Sequence, residues 1–196
     1  EEVEAHPHVG VVSNSGAVLC FVGDRLMRTR PDGGWEHEPF PDLLGVVHML
    51  ALEAGDGETL AALCHEALHV RPPGQDWTSY PIPKDVLECP NRLAGTSVSE
   101  LFVVGGPEPD SDLPAGLLRF DGASFSPVAG APVDEFFGAA LSDDGTLYLA
   151  GERAHRRLPS GEWQPLSGPE DAYTIGVAAF EENVYFATIE GIFRAT

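Results

Sequence analysis

Short apolar stretches separated by turn-forming residues recur along the whole chain. The clearest copy has an apolar run at residues 137–141, the polar Asp143-Asp144-Gly145, and a second run at 146–151. An Arg-bearing stretch at 154–158 follows, then Ser160-Gly161, then Glu162-Trp163-Gln164-Pro165-Leu166. Runs of four to six residues with partial alternation and β-branched or aromatic content read as strands. Asp-Gly and Ser-Gly pairs supply the positive φ angles of two-residue hairpins. The copy therefore predicts four strands joined by three tight turns, an antiparallel meander.

Three further copies align with it. One has a run at 17–23, Leu26-Met27-Arg28, Asp32-Gly33-Gly34-Trp35 and Pro39-Phe40. A second has Asp56-Gly57, a run at 59–63, Leu68-His69-Val70-Arg71 and Gly74-Gln75-Asp76-Trp77. A third, looser copy has a run at 100–105, Leu117-Leu118-Arg119-Phe120, Asp121-Gly122, and Phe125 where the others place Trp. The marker aromatics Trp35, Trp77, Phe125 and Trp163 lie 42, 48 and 38 residues apart, a spacing of the size used by propeller blades. The last stretch, from Ile175 to Arg194, carries three strands and stops, and the segment from Glu1 to His6 has the length of the missing fourth.

These features predict an all-β chain: a β-propeller of five four-stranded blades, closed by its own N-terminal strand, over residues 8–42, 43–85, 86–134, 135–171, and 172–196 plus 1–7. Closure of that kind removes the open sheet edges that template aggregation. Two alternatives stay open, a piece of a longer propeller and a propeller completed by dimerisation. The repeat resembles bacterial β-propeller repeat proteins of the Kelch-like and related kinds: a Val-Gly or Ala-Gly strand end, an Arg-bearing strand, an Asp-Gly turn and a Trp. The tandem Gly pair of Kelch repeats is mostly missing here. The resemblance implies an architecture only, because propellers host hydrolases, lectins and protein-binding hubs alike.

Composition agrees with short strands and many turns, with 43% hydrophobic residues, 22 Gly and 17 Pro. The formal net charge of −20, from 31 acidic and 11 basic residues, repels phosphate backbones and anionic lipid, so neither nucleic acid nor a membrane is expected as a partner. A protein partner is expected, and a basic one fits the charge. Cys20, Cys64 and Cys89 are odd in number and lack metal-ligand spacing, which suits a reducing, cytoplasmic setting. The chain starts at Glu1 without an initiator Met, and a trimmed N-terminus is expected.

In a four-stranded blade, the loop after the outer strand and the turn between the second and third strands emerge at the same end. The repeat assigns Asp42, Asp85, Asp134 and Asp171 to the first kind of loop, and Glu66 and Glu152, with Asp24 and Glu190, to the second. A loop inserted between Val104 and Leu117 adds Glu108, Asp110 and Asp112 at that end. A ring of carboxylates there would attract cations or Lys and Arg side chains, and these residues are the candidate partner-binding set.

His65-Glu66-Ala67-Leu68-His69 matches H-E-x-x-H, in which two His one helical turn apart bind zinc while the Glu acts as base. That geometry requires a helix. The repeat instead places Glu66 in a turn and His69 in a third strand, and the expected arrangement is one turn His and one strand His. A metal-dependent hydrolase using His65, Glu66 and His69 is thus a minor alternative, as is a metal held by His6 and His8. A third alternative is a carbohydrate- or small-ligand-binding propeller using Trp35, Trp77 and Trp163 in equivalent pockets, although aromatics at a repeat position suit packing between blades better. No nucleophile elbow, phosphate-cradling Gly loop or Cys-His motif appears, no cofactor is expected, and a non-enzymatic interaction module is the leading expectation.

Overall fold

A computed structural model describes residues 10–13, 16–22, 25–41, 45–54, 57–107, 116–166, 174–180 and 183–194. Among these residues there are nineteen strands and no helix. The chain divides into two units, Glu1–Pro81 and Ile82–Thr196. The first holds two antiparallel meanders: β1 (Gly10–Val12), β2 (Val18–Val22), β3 (Arg25–Thr29) and β4 (Trp35–Glu38), then β5 (Val46–Ala54), β6 (Gly57–Cys64), β7 (Ala67–Arg71) and β8 (Thr78–Pro81).

The second unit holds three meanders. They are β9 (Cys89–Ser97), β10 (Glu100–Gly106), β11 (Gly116–Phe120) and β12 (Phe125–Pro127); β13 (Phe136–Leu141), β14 (Leu147–Gly151), β15 (His155–Arg157) and β16 (Trp163–Pro165); and the three-stranded β17 (Thr174–Phe180), β18 (Asn183–Thr188) and β19 (Gly191–Arg194). Residues 1–6, expected to complete the last sheet, lie outside the described residues.

The hairpins differ from the two-residue turns that the Asp-Gly and Ser-Gly pairs suggest. The Ser142 N–H donates to Thr146 O and the Gly145 N–H to Ser142 O, leaving a three-residue loop. The same pair of bonds closes 13–17, 30–34 and 158–162. Gly33, Gly145 and Gly161 take φ of 83, 82 and 92°, the left-handed conformation that ends such loops and that glycine adopts without Cβ strain. The glycine is legible in sequence, whereas loop length depends on which flanking pair closes the ladder.

Each meander buries one face against its neighbour within a unit. Leu19, Phe21 and Leu26 of β2 and β3 meet Met49, Leu60 and Ala62 of β5 and β6. In the second unit, Phe102, Val104 and Leu117 meet Phe136, Leu147 and Leu149, and Ala150 and Ala154 meet Val184 and Phe186. Side chains alternate across a strand, so only every second residue reaches a given interface. Fully burying each Leu or Phe contributes about 1.5–3 kcal/mol.

The repeat aromatics brace these interfaces. The Trp77 indole N–H donates to Pro39 O at 2.8 Å and that of Trp163 to Ala129 O at 3.4 Å. In both cases the acceptor is the carbonyl of the residue following Glu38 or Val128, at the end of the preceding sheet. Phe40 adds an edge-on contact to Trp77, with centroids 4.9 Å apart.

Glycine at the end of a second strand has a steric cause. The first-strand partner makes a register shift there, between β9 and β10 and between β13 and β14, which brings its backbone close. A Cβ on Gly105 would lie 2.0 Å from Cys89 O, and one on Gly151 would lie 1.9 Å from Glu135 O. The Gly151 N–H also donates to Thr174 Oγ1 at 2.8 Å, and the Thr174 hydroxyl donates back to Gly151 O at 2.6 Å. Gly151→Ala is expected to lower the unfolding free energy by about 1–3 kcal/mol, the scale of overpacking, as read from denaturant unfolding, whereas alanine at the open turn residue Gly33 should cost only its φ strain.

Candidate functional site

The carboxylates proposed from the repeat fall into three groups. Asp42, Asp171, Glu108, Asp110 and Asp112 lie outside the described residues, as do Asp24, His6 and His8. Glu66 stands in the β6–β7 turn of the first unit and is exposed. Asp85, Asp134, Glu152 and Glu190 belong to the second unit, where the strand ends and the β18–β19 turn bring them to one end of the sheets.

Several close approaches define that end. Cys89 pairs with Gly106, and Gly105 with Gly116. A Cβ on Gly116 would lie 2.6 Å from Val86 O, and one on Gly106 would lie 3.1 Å from Glu135 Oε1. Asp85, Glu135 and Glu152 are exposed there. Glu135 adjoins Asp134 in the same connection between sheets, which the repeat assigns to this end. Asp134 is engaged within the protein, since its Oδ2 lies 2.6 Å from His155 Nε2, with Phe136 edge-on to the same ring.

Carboxylates at the opposite strand ends do a different job. Asp121 Oδ1 accepts the N–H groups of Ser124 and Ala123 at 2.8 and 3.0 Å. Asp144 Oδ1 accepts the Ser142 hydroxyl and the Thr146 N–H at 2.6 and 3.0 Å. These bonds hold both carboxyls below the usual carboxylate range, led by the Ser124 N–H for Asp121 and the Ser142 hydroxyl for Asp144. Asp32 likewise accepts the Gly34 N–H at 2.9 Å. All three fix hairpin loops, as short acidic side chains do when they cap turns.

His65 and Glu66 sit in a β-hairpin turn and His69 in strand β7, so the helix that H-E-x-x-H chemistry requires is replaced by a hairpin. His69 is 1% exposed, and its Nδ1 lies 2.8 Å from Ser79 Oγ. Burial pushes its pKa below the ordinary 6.5, and its buried Nε2 has no hydrogen-bond partner among the described residues. No group of three or more His, Cys, Asp or Glu among the described residues is arranged to hold a metal. Nor is any helix there long and apolar enough to cross a membrane.

The three tryptophans are not equivalent. Trp77 and Trp163 spend their indole N–H on the braces described above, while Trp35 is 48% exposed and lines an apolar cleft of about 370 Å³ with Cys20, Val22 and Met27.

A cleft of about 570 Å³ opens in the first unit between β3 and β4 on one side and β6 and β7 on the other. Four alternating charges cross it. Arg28 pairs with Glu58 and reaches Glu38 Oε2 at 3.5 Å, and Arg71 pairs with Glu38. These side chains are only 15 to 20% exposed, and the Arg71 guanidinium lies 5.2 Å over the Trp77 ring. The register explains the meeting. Leu19 pairs with Arg28 and Leu60 with Arg71, so each arginine continues the apolar stripe facing the neighbouring sheet. The sequence signalled the arginines through their recurrence in third strands, but their acidic partners were not distinguishable among 31 acidic residues. The cleft neutralises itself, and its chemistry is structural.

No family model matches the chain, nor does any curated protein. Solved structures do match. A streptogramin B lyase structure superposes with a TM-score of 0.76 at 14% identity over 100% of this chain and 66% of that one. A structure described as a nidogen/laminin complex gives 0.72 at 13% identity, over 97% of this chain and 75% of that one. A gluconolactonase from Xanthomonas campestris gives 0.64 at 16% identity, over 95% and 70%. The chain thus spans just under two thirds of the lyase's length. These neighbours are β-propeller proteins, and with the antiparallel meanders described here they establish the fold as all-β and of the propeller type. At such identities the likeness extends to the fold alone.

Two outcomes follow from these geometries. Glu38→Gln leaves Arg28 and Arg71 short of a counter-charge in a largely buried cleft and should cost about 1–3 kcal/mol in denaturant unfolding. His69 has a folded-state pKa below its unfolded value of 6.5, so its contribution is complete above that value and is lost as pH falls through the folded pKa. The melting temperature should fall more steeply from about pH 7.5 to 5 in the wild-type chain than in His69→Gln, which lacks a titrating ring.

Proposed function

We propose that this propeller is an interaction module that holds a basic protein partner on the acidic end of its second unit. The carrying observation is an asymmetry in how carboxylates are used. Asp85, Glu135 and Glu152 are exposed at one end of the sheets. Asp121, Asp143, Asp144 and Glu162 are exposed at the other as well, but there Asp121 and Asp144 are consumed in fixing hairpins and Glu162 accepts the Gln164 side-chain amide. Exposed like charges around a rigid rim, on a chain of net charge −20, raise the local concentration of Lys- and Arg-rich surfaces and speed encounter. The structure solved as a nidogen/laminin complex is an example of a propeller neighbour found with another protein.

The test uses a fluorescent Lys/Arg-rich peptide followed by anisotropy at low and high salt. Binding should weaken as salt rises. The triple variant Asp85→Asn/Glu135→Gln/Glu152→Gln should lose about threefold to tenfold in affinity. A charge-matched control, Glu36→Gln/Asp76→Asn/Asp143→Asn, should lose much less. Equal losses in the two variants would reduce the effect to net charge and defeat the assignment of this end.

A further inference from the structure

The repeat places a second arginine cleft in the other unit. A cleft of about 380 Å³ lies between the β9–β12 and β13–β16 sheets, lined by Arg119, Arg157, Ser126, Val128 and Glu100 among others. Register shows which positions correspond. Arg28 lies opposite Leu19 on β2 and Glu36 on β4, and Arg119 lies opposite Phe102 on β10 and Ser126 on β12. Arg71 lies opposite Leu60, and Arg157 opposite Leu147. The two arginines of the first cleft therefore recur as Arg119 and Arg157.

Their counter-charges do not recur. Glu38, two residues beyond Glu36, corresponds to Val128, and Glu58, two residues before Leu60, corresponds to Gly145. Among the described residues neither Arg119 nor Arg157 has an ion pair, and the buried Arg157 Nε has no hydrogen-bond partner. Glu100 lines the cleft without closing an ion pair to either, so two cations face one carboxylate where the first cleft balances two with two. This local excess of positive charge sits in a protein of net charge −20.

We propose that the Arg119–Arg157 cleft binds a carboxylate, supplied by the ligand in place of the side chains of Glu38 and Glu58. The first cleft shows what this arginine frame accepts. Guanidinium forks match the two oxygens of a carboxylate in a planar, bidentate geometry, and the Ser126 hydroxyl adds a donor at the rim. The charge of the whole chain opposes anions only over about a Debye length, some 8–10 Å at ordinary salt, so the local pair dominates at contact. The carboxylate could come from a small dicarboxylic acid or from an acidic peptide, and the two sources are separable.

The experiment titrates succinate and, separately, a short Asp/Glu-containing peptide into the chain while recording arginine Nε–Hε resonances. Saturable shifts at Arg157 and Arg119 are expected, read in each variant at the arginine that remains, with affinity reduced about tenfold in Arg157→Gln and in Arg119→Gln, the scale of one charged hydrogen bond. Arg119 is exposed, so its replacement should leave the melting temperature unchanged and keep the result interpretable. Arg153→Gln, in an exposed turn at the other end, should bind as the wild type does. Saturation by succinate alone would assign a small acid, and tighter saturation by the peptide would assign an acidic chain segment. The proposal is overturned if neither probe saturates, or if the affinity is unchanged in both cleft variants.

Discussion

Every sheet in this protein has two faces and too few residues to bury both by itself, so the structure depends on sheets stacking face to face. The apolar stripe formed by Leu19, Phe21 and Leu26 has value only because Met49, Leu60 and Ala62 meet it, and the stripe at Phe102, Val104 and Leu117 because Phe136, Leu147 and Leu149 meet it. Period-two alternation fixes which residues take part, and a one-residue slip would turn each stripe outward. The tryptophan braces and strand-end glycines are consequences of this stacking. The former tie an indole to a carbonyl just beyond the preceding sheet's last strand, and the latter let a bulged first strand approach.

The polar chemistry grows from the same alternation. A residue that continues an apolar stripe beyond its last Leu still faces the neighbouring sheet, and the repeat puts arginine there. In the first unit Glu38 and Glu58 complete the arrangement, and the cleft is closed electrostatically. In the second, hydrophobic and glycine residues stand at the matching positions, so the same frame is left to be completed from outside. The acidic end and the arginine cleft of the second unit thus offer opposite charges at different places on one scaffold, an arrangement a binding module can use and that a uniform net charge conceals.

Much of the fold was legible in the sequence because glycine, tryptophan and β-branched residues carry backbone and packing information locally. Trp77 and Trp163 marked equivalent fourth strands, and Leu68-His69-Val70-Arg71 marked a third strand, which is why H-E-x-x-H could be set in a hairpin. Turn length was less legible, because Ser142 and Thr146 pair through backbone groups that any residue carries. The site was least legible. Asp134 looks like any loop carboxylate until His155, 21 residues on, is folded against it, and Glu58 gains its role only when Arg28 of another sheet arrives. Such pairs depend on sheet stacking and leave no local trace.

Stacking is tested most directly where one ring from each side of an interface can be removed separately. Phe40 follows β4 and Trp77 precedes β8, and their rings meet edge to face at 4.9 Å. A double-mutant cycle with Phe40→Leu and Trp77→Leu, read from equilibrium unfolding, should give a coupling of about 0.5–1.5 kcal/mol, the size expected of an aromatic pair beyond its buried area. Additive losses with no coupling would mean that the two sheets of the first unit do not meet as described, and would contradict the account from its foundation upward.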